Sequence, residues 1–402
     1  MIARRVRGPS LAMALVLAAP APDRKSAMRD HLVKMFQAGI AACHPERVLP
    51  PQLPPRAEGR LIVLALGKAA IAMARVAEAH YGEGIEGLAV APHGTPGRLS
   101  ALEIVHAGHP IPDEASVGAA ERLLALAHSA RPGDLVLVLL SGGGSSLACL
   151  PGEGLTLADK QAITAQLLRS GATVSEINCV RRHMSRIKGG RLPAHLTLAI
   201  SDVVGDRPED IGSGPTVADP TTFQDAHLIL NRFGLTTTLT ETAKQVSGAF
   251  RIIASARDAL TAAAAEAERL DYRPILLGEC TGDARAAGQA HAAIARSLPP
   301  GSAVISGGEL TVTVTGNGRG GPNVEYALAA SLALAGRDDI FGLAADSDGL
   351  DGTSGAAGAF IAARGDGAEA LAANDAASVA DLFVTGPTGT NVNDLQIILV
   401  AH

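Results

Sequence analysis

The chain has no tryptophan, and aromatic residues make up only 2% of its 402 residues. Apolar residues nevertheless account for 47% of the sequence, which is enough for a large core. That core must be built mainly from alanine, leucine, valine and isoleucine side chains. A chain of this length can form two or three domains.

Paired cysteines, excess positive charge and long apolar runs are also missing, and each absence argues against a class of protein. The four cysteines lie far apart without a CxxC pair, which argues against a zinc cage or disulfide framework and favours a reducing compartment. A net charge of −6, without a basic and aromatic run, argues against nucleic-acid binding. No run of about 20 apolar residues is present to span a bilayer.

The first residues imitate a secretory signal, because a basic start precedes an apolar stretch and several small residues. The alternative is an upstream extension over residues 1–27, with the fold beginning near Met28. We prefer the extension, since the rest of the sequence is typical of a nucleotide-using enzyme of the cytoplasm.

Three common catalytic motifs are not found. The lack of GxxxxGK[ST] argues against a P-loop enzyme. A dinucleotide site lacks its fingerprint, in which a GxGxxG turn follows a strand and an acidic residue comes about 20 residues later. The GxSxG turn that carries the nucleophile of α/β-hydrolases is also missing.

The stretch from Asp134 to Leu147 predicts a buried strand that runs into a glycine turn. Residues 135–140 are a continuous apolar run, which is typical of a strand buried on both faces of a parallel sheet. Three glycines follow, and they let the backbone approach a ligand closely. A helix start just beyond them would offer N–H groups to an anion. The alternative is a plain strand-to-helix turn.

Predicted strands and helices alternate along most of the chain. This alternation predicts parallel sheets with helices on both faces, in which ligands bind beyond the carboxyl ends of the strands. Five predicted strand ends are polar or rich in glycine: GKAA from Gly67, SGGGSS from Ser141, SDVVGD from Ser201, SGGE from Ser306 and DSDGLDG from Asp346. We therefore expect one binding site at these strand ends.

Charged residues at the strand ends are the chemical candidates. Lys68 opposes the dipole of the helix that it precedes, which favours contact with phosphate oxygens over an exposed surface position. Asp202 and Asp348 could hold Mg²⁺ together with phosphate oxygens, act as a base, or only cap turns. Glu309 either contacts a ligand or is solvated. The basic run 181–191 fits an acidic substrate or a solvated helix face.

Six motifs resemble those of the class II glycerate 2-kinases, whose C-terminal part is called the MOFRL domain. They are GKAA at Gly67, SGGGSSL at Ser141, RRHMSRIKGGRL at Arg181, SDVVGDRPEDIGSGPTVADPTTF at Ser201, SGGELTVTVTGNGRGG at Ser306 and TGPTGTNVNDL at Thr385. The resemblance covers about residues 28–402. It implies ATP-dependent phosphorylation of D-glycerate at the 2-hydroxyl, in a cleft between two α/β domains of which the larger is Rossmann-like.

By position, Lys68 resembles the family's active-site lysine, and Asp348 resembles its C-terminal aspartate. The chain departs from the family at two places. The family often reads GGRNQE where this chain has Pro322 instead of the arginine, so that role would pass to Arg319 or be lost. The family motif DGPTDAAGA is replaced by a segment with Gly355 in place of its second aspartate.

We predict a two-domain α/β protein that uses ATP and Mg²⁺. The expected parts are an extension over residues 1–27, a Rossmann-like doubly wound domain over 28–240, and a C-terminal α/β region over 241–402 with the MOFRL domain from about residue 302. The predicted catalytic residues are Lys68, Asp202, Arg319 and Asp348, and Asp202 and Asp348 are also the predicted metal ligands. The residues predicted to bind ATP or substrate are Ser141, Gly142, Gly143, Gly144, Ser145, Arg186, Lys188, Glu309, Asn323 and Asn391.

Two other functions stay open at this point. One is NAD(P)H-dependent reduction of hydroxypyruvate, because members of the family have often been labelled so. The other is a non-catalytic sensor that binds a small acid. For partners, we expect D-glycerate as the small-molecule substrate, neither nucleic acid nor membrane, and a homodimer as one assembly option. We expect a cytoplasmic location.

Overall fold

The structure is a computed structural model that describes residues 24–56 and 58–402. These residues form two six-stranded sheets with helices packed on their faces. Most of the extension predicted over residues 1–27 lies outside the described residues. Residues 24–27 are described, and they belong to the first helix.

The strands follow one another along the chain with helices between most of them. The strands are β1 (Leu61–Leu66), β2 (Ile85–Pro92), β3 (Glu103–Ala107), β4 (Leu135–Leu140), β5 (Leu196–Ile200), β6 (Ala249–Ala254), β7 (Arg273–Asp283), β8 (Ser302–Thr311), β9 (Ile340–Asp346), β10 (Gly358–Ala362), β11 (Asp381–Phe383) and β12 (Asp394–Val400). The helices are α1 (Arg24–Cys43), α2 (Pro45–Val48), α3 (Ala70–Tyr81), α4 (Glu114–His128), α5 (Gly144–Leu147), α6 (Leu157–Arg169), α7 (Val174–His183), α8 (Phe223–Arg232), α9 (Ala256–Arg269), α10 (Ala284–Ser297), α11 (Pro322–Ala333) and α12 (Ala368–Ala372).

The first sheet has the order β3-β2-β1-β4-β5-β6, and its strands are all parallel. This is a doubly wound order, so the predicted Rossmann-like fold is confirmed. Strands β1, β4 and β5 are buried along almost their whole length, as their continuous apolar runs predict. Leu66 pairs with Leu140 in the register of β1 and β4, which brings Gly67 and Ser141 to the same edge.

The second sheet has the order β11-β10-β9-β12-β8-β7. Strands β7 and β8 are parallel, whereas β12 is antiparallel to both β8 and β9, and β10 is antiparallel to β9 and β11. The expectation of a parallel sheet is therefore wrong for this half of the chain. Strands β8 and β9 run in the same direction and are joined through α11, but β12 returns between them in the opposite direction.

The two sheets exchange segments of the chain. Helix α1 precedes the first sheet, yet Leu32, Met35 and Phe36 are buried in one core with residues of β9 and β12 in the second sheet. Strand β6 follows residue 240, yet it is the edge strand of the first sheet. The domain boundary between residues 240 and 241 stays a prediction. Helix α1 lies before this boundary in sequence but packs with the second sheet, and β6 lies after it but belongs to the first sheet.

Several elements differ from those expected. The sequence pattern does not predict helix α8 or strands β10 and β11. Its alternation over residues 310–315 predicts a strand, but β8 ends at Thr311 and residues 312–315 are irregular. The sequence also predicts a helix over residues 175–188, but α7 begins at Val174 and ends at His183. Within the described residues, no helix has both the length and the apolar character that crossing a membrane requires.

Candidate active site

Lys68 and Asp348 meet where β1 and β9 end. Lys68 is the second residue after β1, and Asp348 is the second residue after β9. The Nζ atom of Lys68 donates a hydrogen bond to Oδ2 of Asp348 at 2.5 Å. Two residues that are 280 positions apart in the chain therefore form an ion pair between the two sheets.

The ammonium group of Lys68 is held in its charged form. Burial lowers the pKa of Lys68, but the carboxylates of Asp348, Asp346 and Asp202 outweigh burial, so the pKa lies above its ordinary value. The side chain is still 24% exposed, so a ligand can contact it. A charged lysine at this position can bind phosphate oxygens.

The glycine turn after β4 packs tightly against its surroundings. The hydroxyl oxygen of Ser141 accepts a hydrogen bond from the amide of Ala69 at 3.0 Å, which ties the turn to the start of α3. Gly142 has no room for a side chain, because a Cβ atom there would collide with Oδ2 of Asp202 and Nδ2 of Asn391. Glycine at this position therefore lets three segments approach one another.

The same turn presents free backbone amides. Gly143 has a φ of +80°, which a residue with a side chain rarely adopts. The amides of Gly143, Gly144 and Ser145 donate no hydrogen bond to a residue that the structure describes. The hydroxyl of Ser145 lies 2.8 Å from that of Ser213. Three consecutive N–H groups are therefore available to an anionic ligand, as the sequence predicts.

Asp202 makes a second contact between the two halves. It follows β5 and accepts a hydrogen bond from Nδ2 of Asn391, in the loop before β12, at 3.0 Å. Burial raises the pKa of Asp202 to about 6, while the charge of Lys68 lowers it and the charge of Glu309 raises it. Glu309 lies in β8 and is exposed. Asp202 thus exchanges a proton more readily near neutral pH than an exposed aspartate does.

Three further aspartates lie near Asp348 in the second half of the chain. Burial raises the pKa of Asp346 well above its ordinary value, and the charge of Asp348 raises it further. Burial raises the pKa of Asp351 to about 6 and that of Asp394 to about 7. The side-chain Nδ2 of Asn323 donates a hydrogen bond to Oδ1 of Asp394 at 2.6 Å. This low-dielectric, acidic region favours bound protons or a bound cation.

A cavity of about 830 Å³ opens beside the ion pair, within the size range of small-molecule sites. Both halves of the chain line it. Its lining residues include Lys68, Arg75, His93, His109, Asp346, Asp348 and residues 387–390. Of the five polar or glycine-rich segments expected to form one site, two supply lining residues of this cavity, the segment after β1 and the segment at the end of β9.

Comparison with known proteins identifies the family. A model of a domain of unknown function, DUF4147, matches residues 31–247, and the MOFRL family model matches residues 302–394. The D-glycerate 2-kinase of Thermotoga maritima is 38% identical over an alignment that covers 92% of this chain and 97% of that protein. The glycerate 2-kinase of Pyrococcus horikoshii is also 38% identical, with 85% and 88% covered.

The chain belongs to the class II glycerate 2-kinase family. The crystal structure of Thermotoga maritima glycerate kinase matches the model with a TM-score of 0.82 and 37% identity, covering 93% of this chain and all of that one. A protein of Agrobacterium vitis with the provisional name hydroxypyruvate reductase is 42% identical, with 92% of this chain and 94% of that protein covered. The resemblance that the sequence motifs carry is thus confirmed.

None of the ten residues predicted to bind ATP or substrate in this family member is among those that line the cavity, and the predicted catalytic residue Asp202 does not line it either. Lys188 is buried, and its Nζ donates to the backbone oxygens of Ser145 at 2.5 Å and Ala148 at 2.9 Å. Burial lowers the pKa of Lys188 to about 7. In this arrangement, Lys188 supports the glycine turn from behind. Arg186 is exposed on the segment after α7 and is not a cavity residue.

Arg319 and Pro322 are the positions at which the chain departs from the glycerate 2-kinase pattern. The guanidinium of Arg319 donates to the backbone oxygens of Thr353 at 3.4 Å and Ser354 at 3.3 Å, and it does not line the cavity. Pro322 is the first residue of α11, where its missing N–H is no loss. The structure does not bring Arg319 to the Lys68–Asp348 pair, and its catalytic role stays a prediction.

The sequence reasoning did not single out His109. This residue follows β3, and parallel strands end at one edge of a sheet, so its position after a predicted strand was a usable signal. The signal was weak, because β3 is short and half-exposed and because its neighbouring turn has no glycine-rich pattern.

Proposed function

We propose that this protein transfers the γ-phosphoryl group of ATP to the 2-hydroxyl of D-glycerate. The observation that carries the proposal is the Lys68–Asp348 pair beside a cavity that both halves of the chain line. The names of the relatives from Thermotoga maritima and Pyrococcus horikoshii support the same activity.

The groups around the cavity fit this chemistry. Phosphoryl transfer needs positioning and neutralisation of charge more than covalent catalysis. The ammonium of Lys68 would offset the charge on the transferring group, and the free amides of Gly143, Gly144 and Ser145 would bind phosphate oxygens. These donors are fixed by the fold before ligands arrive, so no large rearrangement of dipoles is needed.

We also propose that Mg²⁺ enters with the nucleotide and that Asp202 and Asp348 are its protein ligands. Mg²⁺ commonly takes one or two carboxylates, with water and phosphate oxygens completing its shell. Asp202 and Asp348 would supply these two carboxylates, and both act electrostatically on Lys68. The ion would supply further neutralisation of phosphate charge.

The experiment that tests the activity is a ³¹P NMR spectrum of the product made from D-glycerate and Mg-ATP. Phosphorylation at the 2-hydroxyl places phosphorus next to one C–H proton and gives a doublet, whereas transfer to the 3-hydroxyl gives a triplet from two protons. We expect the doublet. A sample with L-glycerate and one without acceptor serve as controls for stereochemistry and for ATP hydrolysis.

Reduction of hydroxypyruvate is the second candidate, and the name of the Agrobacterium vitis relative favours it. The turn after β1 reads Gly67-Lys68-Ala69-Ala70, without the dinucleotide fingerprint. Residues 316–321 have the spacing GxGxxG, but they follow the irregular residues 312–315 instead of a strand, so they do not form that fingerprint. We expect no hydroxypyruvate-dependent oxidation of NADH or NADPH. Binding of glycerate without turnover in either assay would favour the sensor.

We further propose that the protein works in the cytoplasm, where ATP is plentiful. Its four cysteines are free, and Cys43, Cys149 and Cys179 are buried, which suits a reducing compartment. Cell fractionation tests this location. A homodimer stays a prediction, and light scattering on the purified protein measures it directly.

A further inference from the structure

His109 lies between the end of β3 and the glycine turn, where it lines the cavity. A Cβ atom placed on Gly143 would lie 2.9 Å from Cδ2 and 3.0 Å from Nε2 of His109. The same atom would lie 3.4 Å from Cγ of Lys68. The imidazole and the lysine stem are therefore both next to Gly143, and a group bound there can contact both.

The ring of His109 has no hydrogen-bond partner among the residues that the structure describes. The other histidines of the cavity are engaged. Nε2 of His93 lies 2.6 Å from Asp113, and Nδ1 of His44 accepts a hydrogen bond from the amide of Glu46. An unpaired imidazole at the cavity wall is thus left for a ligand.

The surroundings keep this imidazole neutral. Burial lowers the pKa of His109 to about 4, and the charge of Lys68 lowers it further, while the charge of Asp348 partly opposes the shift. Near neutral pH, one ring nitrogen therefore bears a lone pair and the other bears a proton. The lone pair can accept a proton from a hydroxyl group.

We propose that His109 accepts the proton of the acceptor hydroxyl during phosphoryl transfer, an inference that rests on the kinase function proposed above. The hydroxyl oxygen forms its bond to the γ-phosphorus as the bond from that phosphorus to the β,γ-bridging oxygen breaks. The hydroxyl proton moves to the unprotonated ring nitrogen, and ADP leaves with the bonding electron pair. The imidazolium then loses its proton to solvent, which restores the neutral ring.

The carboxylates near the cavity are less free to act as this base. Asp348 accepts hydrogen bonds from Nζ of Lys68 at 2.5 Å and from the amide of Leu350 at 2.8 Å. Asp202 accepts from Asn391. A weak base is sufficient, because the transition state of such transfers is loose and the hydroxyl keeps its proton until late. The adjacent Lys68 favours rapid release of the proton from His109.

Steady-state kinetics of three variants test the proposal, with ADP release measured at saturating Mg-ATP and varied D-glycerate. We expect His109→Ala and His109→Gln each to lower kcat by about 100-fold or more, since general-base catalysis contributes roughly that factor. Glutamine fills similar space and keeps hydrogen bonding but takes up no proton. His227 is exposed on α8, so His227→Ala is the matched control and keeps wild-type kcat.

Chemical rescue separates proton transfer from positioning. Imidazole added to His109→Ala should raise kcat at least about 10-fold, with a dependence on pH that follows the free base, because the cavity left by the deletion can admit it. Imidazole should not rescue His109→Gln, in which the space is filled. Thermal melts of all variants confirm that they are folded.

The results that overturn the proposal are distinct from those that overturn the kinase function. If the wild type forms no ADP with D-glycerate, both fall. If the wild type is active and His109→Gln keeps kcat within about threefold, only the role of His109 falls. A change confined to KM for D-glycerate would also overturn proton transfer. Should His109→Ala fail to fold, the glutamine variant alone still decides the outcome.

Discussion

Lys68 is the cation on which carboxylates from both halves of the chain converge. It pairs with Asp348, and its charge also acts on Asp202, Asp346 and Glu309. An anionic ligand with several charges can take the place of these carboxylates beside the ammonium of Lys68 only if a metal ion or protons neutralise the carboxylates. The residue therefore links the charge of the substrate to the charge of the site.

Replacing Lys68 by alanine should lower kcat at least about 100-fold, the order that removal of one charge-stabilising donor produces. The coupled ADP-release assay measures this. Lys34 is exposed on α1, so Lys34→Ala is the control and should retain full activity. A folded Lys68→Ala variant with near-normal turnover would remove the lysine from the mechanism.

The buried carboxyl of Asp394 is expected to make the folding stability of the protein depend on pH. Burial raises its pKa to about 7, above the ordinary value of about 4 in an unfolded chain. The folded state therefore binds the proton more tightly, and the wild type loses stability as the pH rises from about 4 to about 7. Asp394→Asn stays neutral and escapes this loss.

The stability of Asp394→Asn relative to the wild type should thus increase between pH 5 and pH 8, by on the order of 2 kcal/mol. Urea unfolding at the two pH values, without metal or nucleotide, measures the difference. Asp338 is exposed, so Asp338→Asn should show the same difference at both pH values. If the stability of Asp394→Asn relative to the wild type fell as the pH rose, the predicted direction of the effect would be contradicted.

Among the elements, α8 is not predicted: the sequence indicates a polar loop over residues 203–222, and no element is assigned to the residues that follow it. Its signal is local: Thr222 and Asp225 form a capping box, in which the amide of Asp225 donates to Oγ1 of Thr222 at 3.2 Å and the amide of Thr222 donates to Oδ2 of Asp225 at 2.8 Å. The apolar residues Ala226 and Leu230 are buried at helical spacing. A short helix with this few apolar residues gives a weak periodic signal.

Thr222→Ala should destabilise the protein by about 1 kcal/mol, because it removes the hydroxyl that caps α8. Thr222→Ser keeps the hydroxyl and should lose far less. Chemical denaturation measures both. Thr236 is exposed in the loop after α8, and Thr236→Ala should leave stability within about 0.5 kcal/mol of the wild type. Equal effects of the alanine and serine variants would argue against the cap.

Elements with continuous apolar runs were predicted well, and elements without them were not. The sequence predicts strands over residues 61–66, 135–140 and 196–200 and a helix over residues 284–297. These bounds agree with β1, β4, β5 and α10, since long apolar or periodic segments specify both type and extent. Strand β11 is three residues long, and β10 begins in a segment rich in glycine and alanine, so neither has a clear pattern. Strand direction has no signature in side-chain periodicity, which explains the wrong expectation for the second sheet.

The same limit applies to the candidate site. Lys68, Asp202 and the glycine turn could be predicted because they follow buried strands whose ends lie at one edge. The contact of Lys68 with Asp348 could be expected only from the family resemblance, since it joins two sheets whose relative placement the sequence does not encode locally. The burial of Lys188 could not be predicted, because the charge run around it looks like a solvated helix face.

At the scale of the whole molecule, α1 joins the two ends of the chain. Phe36 is 2% exposed, and its ring meets that of Phe383 in β11 with centroids 5.4 Å apart. Phe36→Ala should therefore destabilise the protein by about 3–5 kcal/mol, the usual cost of removing a buried aromatic side chain. Gln37 is exposed on the same helix, and Gln37→Ala should change stability little.

Hydrogen exchange measures where the destabilisation appears. Because Phe36 packs with the second sheet, we expect amides of β9 and β12 to lose protection in Phe36→Ala, with less change in β1 and β4. Loss of protection confined to the first sheet would contradict the packing of α1.

The central position of β12 has a consequence for synthesis on the ribosome. This strand follows all the other described strands in the chain, but it lies between β8 and β9 in the middle of the second sheet. Helix α1, which precedes all the described strands, packs on α9 as well as on β9 and β12, so the part of its apolar face that β12 covers stays uncovered until β12 has been translated. Until then, a chaperone can bind the exposed apolar residues of this nascent helix. The first sheet, by contrast, can fold before translation ends.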